Sequence, residues 1–186
     1  MTRNRARLPP SHAFVDESNR SKSYLLTAAV VAVADIQLVT RGVRAAVPRG
    51  QRRVHFSDER PATRRAVLDA YCRLPTRVAI ATATYEGGSD QAARIACLAS
   101  LVEGLGAFGI RVLVLDTRDP ERDRWDRRVI AELIREERVP GDLVYEHRGS
   151  RDEILLALPD AIGWAYGAGG HWRRQVEPLI VARYPV

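Results

Sequence analysis

Polar and apolar positions along this chain switch between a two-residue and a 3.6-residue period, and the switches mark its elements. Residues 1–11 are basic and polar and end in Pro9-Pro10, so they read as a disordered arm. We place the arm at residues 1–12 and a single folded domain at 13–186. Ala13 to Glu17 reads as a short strand, Ser18 to Ser23 as its turn, and Tyr24 to Val33 as a buried, β-branched strand; together they form a hairpin. Asp35 to Val47 fits a short helix closed by Pro48 and Gly50, and Val54-His55-Phe56 fits a third strand. Ser57 or Asp58 can cap a helix from Arg60-Pro61 to Leu74, with Ala66, Val67, Ala70 and Tyr71 as its apolar stripe.

Beyond Pro75 the pattern is regular. Arg77 to Tyr85 is a strand ended by Gly87-Gly88, and Ser89 to Leu105 is an alanine-rich helix. Ile110 to Leu115 is a continuous apolar run, as in a strand covered on both faces. Asp119-Pro120 starts a helix whose face is Trp125, Val129, Ile130, Leu133 and Ile134, ended by Pro140-Gly141. Leu143 to Tyr145 is a strand, Asp152 to Ala168 a helical region, and a basic tail follows from His171. A hairpin followed by alternating helices and strands predicts an α/β fold: a mixed sheet, antiparallel then parallel, with helices on both faces. Ligands in such sheets sit outside the carboxyl ends of the parallel strands.

Composition adds little to the fold but narrows the class. At 186 residues the chain can bury roughly 70% of its unfolded surface, so it folds without a disulfide or metal staple. Basic residues outnumber acidic ones 29 to 23, and every basic residue but Lys22 is arginine. A GC-rich coding bias accounts for the choice of arginine; the excess charge admits a nucleic-acid partner without demanding one. Cys72 and Cys97 fall in predicted helices without metal-ligand spacing and read as inert thiols in a reducing compartment. Tyr24 to Ala34 ends in Ala32-Val33-Ala34, like a signal-peptidase site, but Asp16 and Glu17 interrupt the basic region before it. Its eleven residues are also too few to span a bilayer, which takes about 20. The expectation is a cytoplasmic protein with no membrane contact.

The chemical lead is a carboxylate at the end of an apolar strand, occurring twice: Asp16 after Phe14-Val15, and Asp116 after Leu113-Val114-Leu115. If the two strands lie parallel and close, the two aspartates meet and need a cation to stay charged. Magnesium suits such a site, and a pair of ions can stabilise both the attacking and the leaving oxygen of a phosphodiester. The plainer alternative is that each aspartate caps its turn. Glu17 points away from Asp16 by strand alternation unless the strand ends there. Asp123, Asp126 and Asp152 have arginines at helical spacings and read as solvated ion pairs. Glu146-His147 reads as a solvated strand end that can also supply a general base or a supporting contact. The pairs Arg52-Arg53, Arg64-Arg65 and Arg173-Arg174 are candidate phosphate contacts, with Trp172 able to stack on a base. There is no Walker A, G-x-G-x-x-G, G-x-S-x-G or H-E-x-x-H pattern.

Three segments carry a resemblance. F-V-D-E-S (Phe14 to Ser18) with Y-L-L-T-A-A-V-V (Tyr24 to Val31), L-V-L-D (Leu113 to Asp116) and L-P-D-A-I-G-W (Leu158 to Trp164) resemble a large family of uncharacterised bacterial proteins. That family opens with Y/F-x-D-E-S-G and is placed in the ribonuclease H-like fold. The resemblance implies a divalent-metal-dependent nuclease or phosphodiesterase. Asp16 would bridge two Mg2+ or Mn2+ ions, Asp116 would be the second-strand ligand, Asp160 on the last helix would complete the site, and Glu17 is a weaker catalytic candidate. Arg52, Arg53, Arg173 and Arg174 would contact nucleic acid. Asn19 stands where the family has glycine, and only Glu59 is a candidate for the helix glutamate of such nucleases. The alternatives are a non-catalytic binding or assembly module with an incomplete acidic site, and a small-molecule enzyme using the same cleft.

Overall fold

The computed structural model describes residues 9–20, 23–84 and 90–186. Six strands form one mixed sheet in the order β5-β4-β1-β2-β3-β6. β1 (Ser11–Arg20) and β2 (Ser23–Ala32) make the opening hairpin, and β3 (Arg77–Thr84) extends it antiparallel. β4 (Ile110–Asp116) runs parallel to β1 on its other side, and β5 (Val144–Arg148) runs parallel to β4. β6 (Ile180–Pro185) pairs parallel with β3 at the far edge. The expected α/β mixed sheet, antiparallel then parallel, is therefore present.

Helices cover both faces. One face is packed by α1 (Ile36–Ala45), α2 (Pro61–Tyr71), α5 (Ala157–Ala168) and α6 (Gly170–Val176), around Phe14, Leu25, Ala29, Ile80 and Val114. The other is packed by α3 (Gln91–Leu105) and α4 (Pro120–Arg135), around Val15, Leu26, Ala81, Leu113 and Leu115. Strand alternation decides the assignment: even-numbered residues of β1 and β4 face α5, and odd-numbered residues face α3 and α4. Among the described residues, no helix is long and apolar enough to cross a membrane.

Several elements differ from expectation. β1 begins at Ser11, inside the expected arm, and continues through the polar Ser18-Asn19-Arg20, because pairing with Ser23 to Leu25 supplies the backbone partners that hydropathy ignores. Val54 to Phe56 makes no strand; Phe56–Asp58 is a 3-10 turn, and Arg60, without a side-chain cap, precedes α2. In α2 Leu68 is buried and Ala66 exposed. The supposed tail is α6 and β6, a strand whose alternation of Val181, Arg183 and Pro185 on its open side masks its edge position. Gly87 and Gly88 lie outside the described residues. Neither cysteine is in a disulfide, and burial pushes the Cys97 thiol up to about 11, which keeps it protonated.

Candidate functional site

Asp16, Asp116 and Asp160 line one pocket of about 50 Å3, together with Arg53, His55 and Ser150. Three separate elements deliver them. Asp16 and Asp116 end the paired portions of the central parallel strands β1 and β4, one step past the register pair Val15 and Leu115. Asp160 stands in the first turn of α5, and α5 lies close on the sheet because residue 163 is glycine. A Cβ there would come within 2.7 Å of Thr27 Oγ1, on the β2 residue paired with Asp16. The helix is fixed in rotation by Trp164, which packs edge-on against Phe56 (5.3 Å between centroids) and Trp172 (5.6 Å), with the Arg64 guanidinium 4.2 Å from its ring centroid. The Phe56 amide donates to Asp160 Oδ2 (3.1 Å), and His55 Nδ1 lies 3.7 Å from the same oxygen.

These carboxyls are held out of their ordinary range. Burial raises Asp16 well above it, and the charges of Asp160 and then Asp116 add to the effect, against the Glu17 amide that donates to Asp16 Oδ1 at 2.7 Å. Burial also raises Asp116, with Asp160 adding, and raises Asp160 despite the Phe56 amide, His55 and Arg53. Three acids in a small pocket thus face little positive charge: one guanidinium and one half-exposed imidazole. The pocket has room for a few waters, and the three carboxylates, whose oxygens do not all come within 4.8 Å of one another, suit a hard divalent ion that keeps waters between itself and some of them.

Glu17, expected as a weaker catalytic candidate, belongs to the opposite face. Its Oε2 accepts from Tyr24 Oη and Arg94 Nη1, both at 2.6 Å. There it joins a buried network that contradicts the reading of Asp123 and Asp126 as solvated. Asp123 is 5% and Asp126 1% exposed. Arg94 grips Asp126 through two bonds (2.9 and 2.6 Å), Arg118 approaches it to 3.4 Å, and His147 Nε2 donates to it at 3.1 Å. Burial pushes the Asp126 carboxyl up, but the Arg94 and His147 hydrogen bonds and the two guanidinium charges outweigh it and hold it at about 2. Asp123 accepts from Thr117 Oγ1 and the Arg118 amide. The ligand atoms of Asp123, Asp126 and His147 lie within 4.8 Å of one another, uniquely among the described residues. Yet the Asp123 and Asp126 carboxylates already accept from several donors, and a dication there would face two guanidiniums, so the arrangement is a charge-paired core. His147 is inside β5 rather than at a solvated end, which the chain pattern missed by two residues.

The signals for this network were in the sequence. Asp123 and Asp126 precede Ile130 and Leu133 on one helical face, and Arg94 heads the stripe Cys97, Leu98 and Leu101 of α3. Of the expected phosphate contacts, Arg52 and Arg53 line a cleft beside the aspartate pocket. Arg173 and Arg174 do not; Arg173 stacks on Tyr166 at 3.9 Å, and Trp172 is committed to Trp164. Glu59 is absent from the pocket's lining. A scan of protein-family models finds no match to this chain, and a search of curated proteins finds none.

Proposed function

We propose that the Asp16, Asp116 and Asp160 pocket is a divalent-cation site for phosphodiester hydrolysis in a ribonuclease H-like nuclease or phosphodiesterase. The observation that carries this reading is the convergence of three carboxylates, from β1, β4 and α5, with too little positive charge of their own. The sheet supports it as well: an antiparallel opening hairpin with strands parallel to its first is the mixed sheet the ribonuclease H-like reading expects. Asp16, Asp116 and Asp160 would hold Mg2+ or Mn2+. When bound, such an ion lowers the pKa of its water and neutralises charge on the phosphoryl oxygens. The chain's own contribution is to fix the three carboxylates by burial and by the Phe56 amide. Arg53 offers a guanidinium to a non-bridging phosphate oxygen. His55, at the pocket wall, can give the leaving oxygen its proton as water oxygen bonds to phosphorus and the phosphorus–oxygen ester bond breaks.

Calorimetric titration of Mn2+ tests the reading. Saturable binding in wild type, lost in Asp16→Asn, is the expected result. Its absence, both alone and with a phosphorothioate oligonucleotide present, overturns it. A second reading, a non-catalytic module of the same fold, is favoured by one observation: neither Glu17 nor Glu59 adds a fourth carboxylate. Mn2+ binding without cleavage of single- or double-stranded DNA or RNA would select it.

A further inference from the structure

Beside the aspartate pocket, and sharing Arg53, Ser150 and Ile154 with it, runs an open cleft of about 990 Å3. α1 lines it through Ile36, Thr40 and Arg44, and β1 and β4 line it through His12 and Val112. Five arginines line it: Arg44, Arg52, Arg53, Arg148 and Arg151. They are not equivalent. Arg148 is held by Glu146 (2.8 Å) and Glu153 (3.7 Å), and Arg53 donates to Ser150 Oγ. Arg44, Arg52 and Arg151 are exposed and have no carboxylate within 4.0 Å among the described residues. Three unpaired guanidiniums lining one cleft are free to meet phosphates.

The rest of the lining mixes apolar and aromatic side chains with three acids, Glu146, Asp152 and Glu153. Ile36, Val112 and Ile154 are half-buried, and the His12 ring lies 6.5 Å from that of Phe14. Burial lowers the His12 pKa, which favours the neutral ring. A duplex turns phosphates outward and stacks its bases inside, so it leaves those apolar and aromatic side chains uncovered. An unpaired strand can lay a base on them while its phosphates meet the arginines.

We infer that this cleft binds single-stranded nucleic acid, with phosphates on Arg44, Arg52 and Arg151 and a base over His12 and Val112, and that Arg53 and Ser150 pass the next phosphate to the aspartate pocket. The inference rests on the phosphodiester reading of that pocket and extends it to the form of the substrate. Binding in EDTA separates the two, because it needs no metal. Fluorescence anisotropy with short labelled oligothymidylate and oligouridylate, and with a duplex of equal length, is followed against salt. Preferential binding of a single strand is expected, and the DNA and RNA arms tell which sugar is favoured. The Arg44→Ala/Arg52→Ala/Arg151→Ala variant should flatten the log–log salt slope by about 2, at about 0.7 per lost contact. Arg124→Ala/Arg127→Ala on α4 should leave it unchanged, and Arg52→Glu alone should weaken binding at low salt. Equal affinity for duplex, an unchanged slope in the triple variant, competition by inorganic polyphosphate as effective as by oligonucleotide, or no binding at all would overturn the inference. None of these outcomes touches the Mn2+ titration.

Discussion

Asp16 and Glu17 are neighbours on one strand, and their carboxylates meet opposite fates on the two faces of the sheet. On the α3 and α4 face, Glu17, Asp123 and Asp126 are matched by Arg94 and Arg118 and by donors from Tyr24, Thr117 and His147. On the α5 face, Asp16, Asp116 and Asp160 crowd together with Arg53 and His55 alone to offset them. Burial acts on both sets, but Asp126 ends below its ordinary range and Asp16 above it. Burial therefore does not decide whether an acid is structural or poised for a ligand. The supply of nearby cations does.

The most severe way to break the paired side is Arg94→Met, which leaves Glu17 and Asp126 only the longer guanidinium contacts of Arg118, at 3.6 and 3.4 Å. The expected loss is about 3–5 kcal/mol in urea unfolding, and Arg94→Met/Asp126→Leu should recover much of it. A smaller effect sharpens the electrostatic sign. The depressed Asp126 pKa contributes stability above the ordinary value of 3.8, and that contribution is lost as pH falls toward about 2. Asp126→Asn should cost on the order of 2 kcal/mol at pH 6 and show a flatter acid limb than wild type. The smallest effect has the opposite sign. The raised Asp16 pKa means that charging this carboxyl costs stability as pH rises above 3.8. In EDTA at neutral pH, Asp16→Asn should melt higher by about 2–4 °C, as for a gain of about 1 kcal/mol in a chain of this size. The gain should vanish at pH 3 and reverse when Mn2+ is added to both proteins.

Legibility in the sequence followed periodicity. The hairpin, β3, β4 and the α3 and α4 helices were readable because their apolar positions repeat at the period of the element they form. Asp16 and Asp116 were readable because a carboxylate closes an apolar run. Asp160 came from the resemblance, since nothing local distinguishes it from an acid in the first turn of a helix. β6 was missed because an edge strand needs little hydrophobicity, and Ser18 to Arg20 because pairing rather than composition makes them strand. Asp123 and Asp126 were misread because arginines four residues away offered a local pairing, whereas their actual partner, Arg94, arrives from another helix. The unpaired status of Arg44 and Arg151 depends on where the loops fold and has no signature in the chain.

The close seat of α5 over Thr27 also governs timing. As the chain leaves the ribosome, the hairpin carrying Asp16 emerges early and β4 with Asp116 past the midpoint, while Asp160 follows only near the carboxyl end. A chain truncated before Asp160 lacks one of the three acids. The acidic pocket is thus among the last features to form, because it waits for α5 to dock on a sheet whose central strands come earlier in the chain.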